Sequence, residues 1–435
     1  AAQLGLDPDA PAIVALALAD SALCVPAPQA PPAAFADVRA VQGLRAAPGY
    51  ALADLLPRVA GGYLEAHARG PEGAAPPAWV ADLRASTALT GNVFLDLWTA
   101  LGFFLSNAAQ YCLSCLRPHP ELRVFDRCYP CGDEFCVFQH EECLASVHAE
   151  LLRGPALVEL HLSLAAAAAE DPETFEPFPP HFLKRSEARR RAGAVDDPAA
   201  ERRDGNKDIC ALRAAIARLP PIEALAAAGS EAEVRAVLCG GGSGEATAAY
   251  KFAQFVLGTN RLALESVSEE DLRLPRLPAD AVQLAVLQAG PEAEAAFRAR
   301  AARAPRRTGF AFHGSPLDKW YSIMRNGLRV FSNTDLMSSG AVYGRGIYLA
   351  KRSSTAAHYC RGFSGSRYPC RVGGSLQALG IVEYVDDPAF SRRHQQEIIT
   401  VSDADAVVLR YVVIYDQVGA GAAPRSVHVD DLGAG

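Results

Sequence analysis

Two short stretches and the helix-patterned segment between them constrain this chain most. The first is Phe310-Ala311-Phe312-His313-Gly314-Ser315 and the second Tyr343-Gly344-Arg345-Gly346-Ile347-Tyr348-Leu349, with Trp320 to Leu328 lying between. Phe310 to His313 reads as the end of a buried strand, and Gly314 lets a flat ring approach the backbone closely. Ser315 is predicted as an N-cap with Pro316 at the first helical position. Leu317, Tyr321 and Met324 follow at helical spacing, and Gly327 suits a left-handed C-terminal cap. Gly344 and Gly346 flank a turn that runs into the apolar strand Ile347-Tyr348-Leu349. The predicted unit is strand, helix, loop, strand, and it delivers His313 and Tyr348 to one cleft. Either motif alone would read as a capping histidine or a strand aromatic; the two in order, with this helix between them, read as a site.

At 435 residues, the length allows roughly two to four domains. Half of the residues are apolar, enough for a sizeable core, and a formal charge of −7 gives no sign of a nucleic-acid-coating or membrane-surface protein. The runs Ile13–Ala19 and Phe94–Leu105 are too short to span a bilayer, and Asp96 interrupts the second. No positively charged segment precedes an apolar core at the start, so no signal peptide is expected. A soluble, intracellular protein, cytoplasmic or nuclear, is the reading, and the sequence is consistent with part of a longer chain.

Six of the eleven cysteines fall in one short segment: Cys112, Cys115, Cys128, Cys131, Cys136 and Cys143. Two CxxC knuckles so close together can each present two thiolates to one tetrahedral zinc. Cys112, Cys115, Cys131 and Cys136 form one ligand set; replacing Cys136 with Cys128 gives the other, and His140 and His148 are weaker substitutes. The role would be structural.

The paired motifs resemble the donor-site half of a PARP-type, diphtheria-toxin-like ADP-ribosyltransferase. The resemblance implies that His313 holds the adenosine ribose of NAD, that the Gly314 backbone pairs with the nicotinamide carboxamide, and that Tyr348 stacks on the nicotinamide ring. Ser315 is expected among the NAD-binding residues with them. A mono-ADP-ribosyltransferase branch of that superfamily is similar over most of the chain from about residue 90. It carries a cysteine-rich region before its catalytic domain. Here the matching stretches are Phe94 to Leu105, Cys112-Leu113-Ser114-Cys115, Cys131 to Phe138, Phe175-Glu176-Pro177-Phe178-Pro179 and Thr259-Asn260-Arg261. The resemblance favours the first zinc set and leaves Cys128 as an extra. It implies an α+β fold, split antiparallel sheets with helices, preceded by a Cys-rich zinc-binding segment and a helical region.

Four regions are expected along the chain: 1–90, small α/β or irregular with few periodic runs in 25–90; 91–183, Cys-rich with helices; 184–208, a charged linker; and 209–435, a helical lead-in plus catalytic domain. Lys184 to Lys207 holds eight basic and five acidic residues with few apolar ones, which suits a solvated loop, Arg189-Arg190-Arg191 included. Leu144 to Ala169 reads as one helical stretch with Val147, Leu151 and Leu152 on one face. Ile209, Leu212, Ile216 and Leu219 share a face of the next helix. Ser230 with Glu233 is predicted as a capping box, Gly240 to Gly244 as a plain flexible loop, and Tyr250 to Leu257 as a helix ending at Thr259. Another helix is expected over Ala279 to Arg303. Strands are expected at Leu379–Val385, Ile398–Val401 and Leu409–Tyr415.

In polymerising relatives a glutamate stands four residues before the tyrosine of a terminal V-Y-D stretch. Here Val413-Ile414-Tyr415-Asp416 puts Tyr411 at that position. A phenol is a poor general base near pH 7, so the resemblance implies transfer of one ADP-ribose through a His313, Tyr348, Tyr411 constellation. The family's second stacking tyrosine is present as Tyr359, whereas its carboxamide-binding serine is replaced by Ala356. One lost neutral hydrogen bond costs on the order of 1 kcal/mol, and Thr355 or Ser354 stands close enough in sequence to substitute. The reading is therefore an NAD-dependent mono-ADP-ribosyltransferase, a pentosyl-transferring glycosyltransferase that uses NAD as substrate and carries a structural zinc. Its expected acceptor is a protein side chain, its own chain included. Ala356 and Tyr411 favour a second reading, a catalytically weak or inactive NAD-pocket pseudoenzyme acting as a protein-interaction module. The acidic balance argues against a nucleic-acid end as acceptor.

Overall fold

The computed structural model describes residues 14–18, 35–40, 49–69, 75–107, 110–112, 114–119, 130–131, 133–139, 146–170, 175–183, 207–240, 248–267, 273–277, 281–304, 308–330, 343–360, 376–416 and 426–432. Cys128, His140, Cys143, the arginine run and nearly all of the predicted linker lie outside them, as do residues 241–247 of the glycine-rich loop. The chain forms two compact units, each assembled from separate segments. One holds Ala1–Val158, Ile222–Ala246 and Ala253–Gly258; the other holds Glu159–Pro221, Thr247–Phe252 and Thr259–Gly435.

In the first unit β1 (Val14–Leu18) pairs antiparallel with β2 (Phe35–Ala40), followed by α1 (Gly49–Ala68), α2 (Ala78–Ser86) and α3 (Val93–Ser106). The expectation of few periodic runs between 25 and 90 is overturned by α1 and α2. Alanine, which dilutes an apolar pattern, is also the best helix former, and Val59, Tyr63 and Ala66 still bury one face. Their core includes Trp79 edge-on to Phe104 at 5.4 Å and Tyr111 stacked on Phe104 at 5.5 Å.

Beyond α4 (Glu134–Gln139), the single helix expected from Leu144 to Ala169 is two: α5 (Val147–Arg153) and α6 (Pro155–Ala168). Pro155 has no N–H to continue the ladder, so the chain ends one helix at Gly154 and starts another. Val147 and Leu151 are buried, but Leu152 is exposed. Then come α7 (Ile209–Ile216), α8 (Ile222–Ala226), α9 (Glu231–Leu238) and α10 (Ala248–Gly258). Ser230 caps α9 as expected, its Oγ accepting from the Glu233 N–H at 3.2 Å, but the Glu233 carboxylate accepts from the N–H of Gly229, one residue before the cap, at 2.8 Å.

The second unit is built on an antiparallel sheet. Its elements are β3 (Ala263–Ser266), β4 (Val282–Gln288), α11 (Pro291–Arg303), β5 (Thr308–Gly314), α12 (Leu317–Asn326), β6 (Ile347–Ala350), α13 (Ser353–Ala357), β7 (Leu376–Val385), β8 (Ser391–Arg393), β9 (Ile398–Val401) and β10 (Val407–Asp416). The order among the described strands is β3-β4-β10-β7-β5-β6-β9-β8. Two expectations change here. The helix predicted over 279–303 begins only at Pro291; Leu284 and Val286 alternate inward with period two, and a strand results. Helix α12 begins one residue later than predicted, at Leu317, with Pro316 at the cap and no side-chain cap bond. Ser315 instead presents its carbonyl to the Trp320 indole N–H at 3.1 Å.

The sheet is split at one seam. β5 and β6 share the single pair Phe312↔Ala350, whereas β5 and β7 share seven, from Thr308↔Val385 to Gly314↔Leu379. Five strands therefore form one half and β6, β9 and β8 the other, and the seam opens beside His313 and Gly314. On one side of α12, Phe175 meets Tyr321 edge-on at 4.4 Å, the Tyr321 hydroxyl donates to the Pro177 carbonyl at 2.9 Å, and Asn326 Nδ2 donates to the Glu176 carbonyl at 2.8 Å. The Phe175-to-Pro179 motif thus braces the helix that follows the His-Gly strand end. Thr259 does likewise, its hydroxyl accepting from buried Arg325 Nε at 3.0 Å.

Candidate active site and candidate metal centre

At the seam, where the β5–β6 ladder stops, the His313 ring takes over. Its Nδ1 lies 3.1 Å from the Tyr348 carbonyl oxygen. Burial holds the imidazolium down, to a pKa of about 4, against a weaker upward pull from that carbonyl. The ring is neutral at pH 7, and since a carbonyl only accepts, the proton sits on Nδ1. Nε2 is then a hydrogen-bond acceptor. Trp320, 6.4 Å from the His313 ring and edge-on to it, backs it from α12.

Gly314 is fixed as glycine by its neighbour. A β-carbon there would lie 1.8 Å from the Ala356 carbonyl oxygen and 3.1 Å from Cys360 Sγ. The turn carrying Ala356 and Tyr359 therefore lies directly against the end of β5. Tyr348, half-buried on β6, has its hydroxyl held at both ends: it accepts from the Tyr343 N–H at 3.0 Å and donates to the Gly344 carbonyl at 2.8 Å. Tyr359 is 44% exposed, so one face of the ring is open to solvent or ligand. Ser354 is engaged with Ser426 Oγ at 2.8 Å, while Thr355 is half-buried on the same turn. Of the two substitutes for the missing serine, Thr355 is the one whose hydroxyl is not in that pair.

Tyr411 is placed by a bulge. β10 and β7 pair Leu409↔Val382 and then Tyr411↔Ile381, so Arg410 is the extra residue. Tyr411, Ile381 and Phe312 thereby form one cross-strand row, and His313, Gly380 and Val412 form the next. Successive rows present opposite faces. Tyr411 therefore packs with the cluster that holds Phe312, Ala356 and Cys360, on the Gly314 face, while His313 emerges on the α12 face. The bulge is clamped: Arg410 Nη1 bonds Glu294 at 2.6 Å, and Arg410 Nε bonds Glu383 at 2.8 Å.

One element of the site went unforeseen. Residues 426–432 strap the turn after β6: Ser353 N–H donates to the Val427 carbonyl at 2.9 Å, Val427 N–H to Ser353 Oγ at 3.0 Å, and Val429 N–H to the Lys351 carbonyl at 2.9 Å. The only sequence signal was the alternation of Val427 and Val429, too short to read alone.

In the first unit Cys112, Cys115, Cys131 and Cys136 bring their sulfurs within 4.8 Å of one another. Cys115 and Cys131 are 3.7 Å apart, close to the ~3.8 Å edge of a tetrahedron with zinc–sulfur bonds of about 2.3 Å, and far beyond a disulfide. The four are free thiols. Local structure builds the cage. Tyr111 donates to Asp82 at 2.6 Å, anchoring the first knuckle to α2, and Leu116 in a left-handed turn (φ 58°) lets its N–H reach the Cys112 carbonyl at 2.7 Å. Asp133 caps α4 and so aims Cys136, accepting from its N–H at 3.3 Å. Burial, then the hydrogen bond with Cys131, pushes the Cys136 thiol up, as expected for crowded sulfurs that only a cation lets ionise together. The donor set fits a structural zinc; His148 stands outside it, in α5.

The fold and the seam define a class. Residues 279–372 match the family described as the poly(ADP-ribose) polymerase catalytic domain, so this part of the chain is similar to that family. Its similar proteins include the mouse protein named Protein mono-ADP-ribosyltransferase PARP8, 27% identical over 365 residues, which span 72% of this chain and 38% of the mouse protein. The human protein of the same name is 30% identical over 272 residues, 58% of this chain and 28% of that protein. The chain thus spans well under half the length of these relatives.

Proposed function

We propose that this chain transfers a single ADP-ribose from NAD to an acceptor, a protein side chain or its own chain, and releases nicotinamide. The observation that carries the reading is the His313–Tyr348 bond across the open seam, with Gly314 pressed against the Ala356 turn. It joins the two motifs that the family devotes to the donor. In this reading Nε2 of neutral His313 accepts from a hydroxyl of the adenosine ribose, and the Gly314 backbone engages the carboxamide. Tyr348 and Tyr359 flank the leaving ring, with Ser315 at the mouth and Thr355 near the carboxamide.

The bond between the nicotinamide nitrogen and ribose C1′ breaks through an oxocarbenium-like state. Nicotinamide leaves with the bonding pair, and the acceptor nucleophile attaches at C1′ as its proton passes to solvent. Catalysis comes from positioning, because Tyr411, which lies on the Gly314 face rather than beside His313, is a phenol and not a carboxylate. The Cys112, Cys115, Cys131, Cys136 cage holds a structural zinc. Its reduced thiols suit the cytoplasm or nucleus, and no helix among the described residues is long and apolar enough to cross a membrane.

Incubation of the purified chain with NAD labelled in the adenosine half tests this. Label bound to protein, with nicotinamide released in step, is expected. Tight NAD binding without release would favour the pseudoenzyme reading, and neither binding nor release would refute both.

A further inference from the structure

Tyr348 sits at the end of a turn containing two glycines, a poor mount for a ring that must hold one plane. Gly344 itself is left-handed at φ 86°. The turn is held from outside. The Tyr343 ring stacks on His394 with centroids 4.3 Å apart and planes 22° from parallel. The backbone N–H of the same Tyr343 donates to the Tyr348 hydroxyl at 3.0 Å. His394 lies between β8 and β9; its N–H donates to the Ile398 carbonyl at 2.8 Å, and its Nε2 is 2.8 Å from Thr400 Oγ1. Thr400 is in turn the direct β6–β9 partner of Tyr348. The contacts close a ring: Tyr348 to Thr400 across the strands, Thr400 to His394, His394 to Tyr343 by stacking, and Tyr343 back to the Tyr348 hydroxyl. Gly346 adds a close approach, since a β-carbon there would lie 3.0 Å from the Val401 carbonyl.

We propose that His394 is a positioning residue for Tyr348, acting through its stack on Tyr343. The proposal rests on the donor-site reading of Tyr348 given above. Neither residue touches the reacting atoms; their contribution is to fix the plane and depth of the Tyr348 ring. The stack, not the Thr400 hydrogen bond, is the part that carries the effect, because it alone connects His394 to the turn bearing the hydroxyl's donor and acceptor.

Steady-state NAD turnover and direct calorimetric NAD binding by the full chain test this with four variants. His394→Ala is expected to raise KM for NAD about fivefold or more, the loss of one aromatic stack plus freedom of the ring, with kcat changed less. His394→Phe, which keeps the stack and loses the hydrogen bond, should return KM to within about twofold of the parent. Tyr343→Leu should match His394→Ala, and the double variant should be no worse than either single one, because both break the same link. A folded His394→Ala with unchanged KM, or a His394→Phe as weak as His394→Ala, overturns the proposal. If His394→Ala does not fold, Tyr343→Leu decides: unchanged KM there overturns it equally. A parent protein that neither binds nor consumes NAD overturns the donor-site reading and this proposal with it; a parent that binds NAD while every variant does too overturns the stack alone.

Discussion

Gly314 lies so close beneath the Ala356 carbonyl that no side chain fits between them: a β-carbon would sit 1.8 Å from that oxygen. Backbone meets backbone there, so neither side can yield as a flexible side chain would. Gly314→Ala should therefore destabilise the second unit by about 3 kcal/mol or more, or displace the 353–360 turn. A thermal melt and an NAD-turnover assay check this together. A variant with parental stability and turnover would show that the contact is not what holds the turn.

His313→Ala should lower NAD-dependent labelling at least ~10-fold while leaving the fold intact, since it removes a substrate-facing acceptor and the bridge across the seam. Circular dichroism with the labelling assay distinguishes loss of function from loss of fold. Unchanged labelling in a folded variant would remove His313 from the site.

The pH dependence follows from the same residue. Folded His313 takes a proton only near pH 4, against 6.5 for an ordinary histidine. The unfolded chain therefore binds more protons between these values. Its contribution to stability, up to about 3 kcal/mol, is fully present above pH 6.5 and is lost as pH falls towards 4. Turnover should accordingly stay flat through pH 6.5 and fall only near pH 4 to 5. A limb centred at 6.5 would mean that the ring is solvated.

Purified reduced protein should contain one zinc per chain, and Cys112→Ser or Cys115→Ser should release it. Because filling such a cage is also folding energy, chelation should lower the melting temperature of the first unit. Elemental analysis that finds no metal would refute the assignment.

Product length reports on Tyr411. Elongation needs a polarised acceptor hydroxyl, which a phenol does poorly, so intact-mass analysis should show one ADP-ribose per mapped site. Tyr411→Glu should alter NAD hydrolysis without producing polymer, because the acceptor pocket must also hold a second ADP-ribose. Longer increments on any one site in the parent protein would overturn mono-transfer.

The strand, helix, loop, strand order around His313 and Tyr348, the later strands β7, β9 and β10, and a cage built on Cys112, Cys115 and Cys131 were legible in the sequence because each rests on local chemistry. Strand β8 was not foreseen, and the residues alone left Cys128 and Cys136 open as the fourth ligand. A His-Gly strand end, a helix with a left-handed stop at Gly327 and CxxC spacing all read within a few residues. The α1 helix and strand β4 were not legible, the first because alanine hides a helical face and the second because an apolar run suits either state until a neighbour claims its hydrogen bonds. The strap at 426–432 and the His394 stack join residues far apart in the chain, and no local pattern long enough to read marks them. The face on which Tyr411 emerges was decided by tertiary structure alone. Strict alternation from Leu409↔Val382 would pair Tyr411 with Gly380, in the row of His313. One extra residue, Arg410, held at 2.6 Å by Glu294 on α11 and at 2.8 Å by Glu383 on β7, moves it to the row of Phe312. The sequence determines which side chains are present and how they are spaced; this bulge is held by carboxylates from two other elements, Glu294 and Glu383, which meet Arg410 only in the assembled sheet.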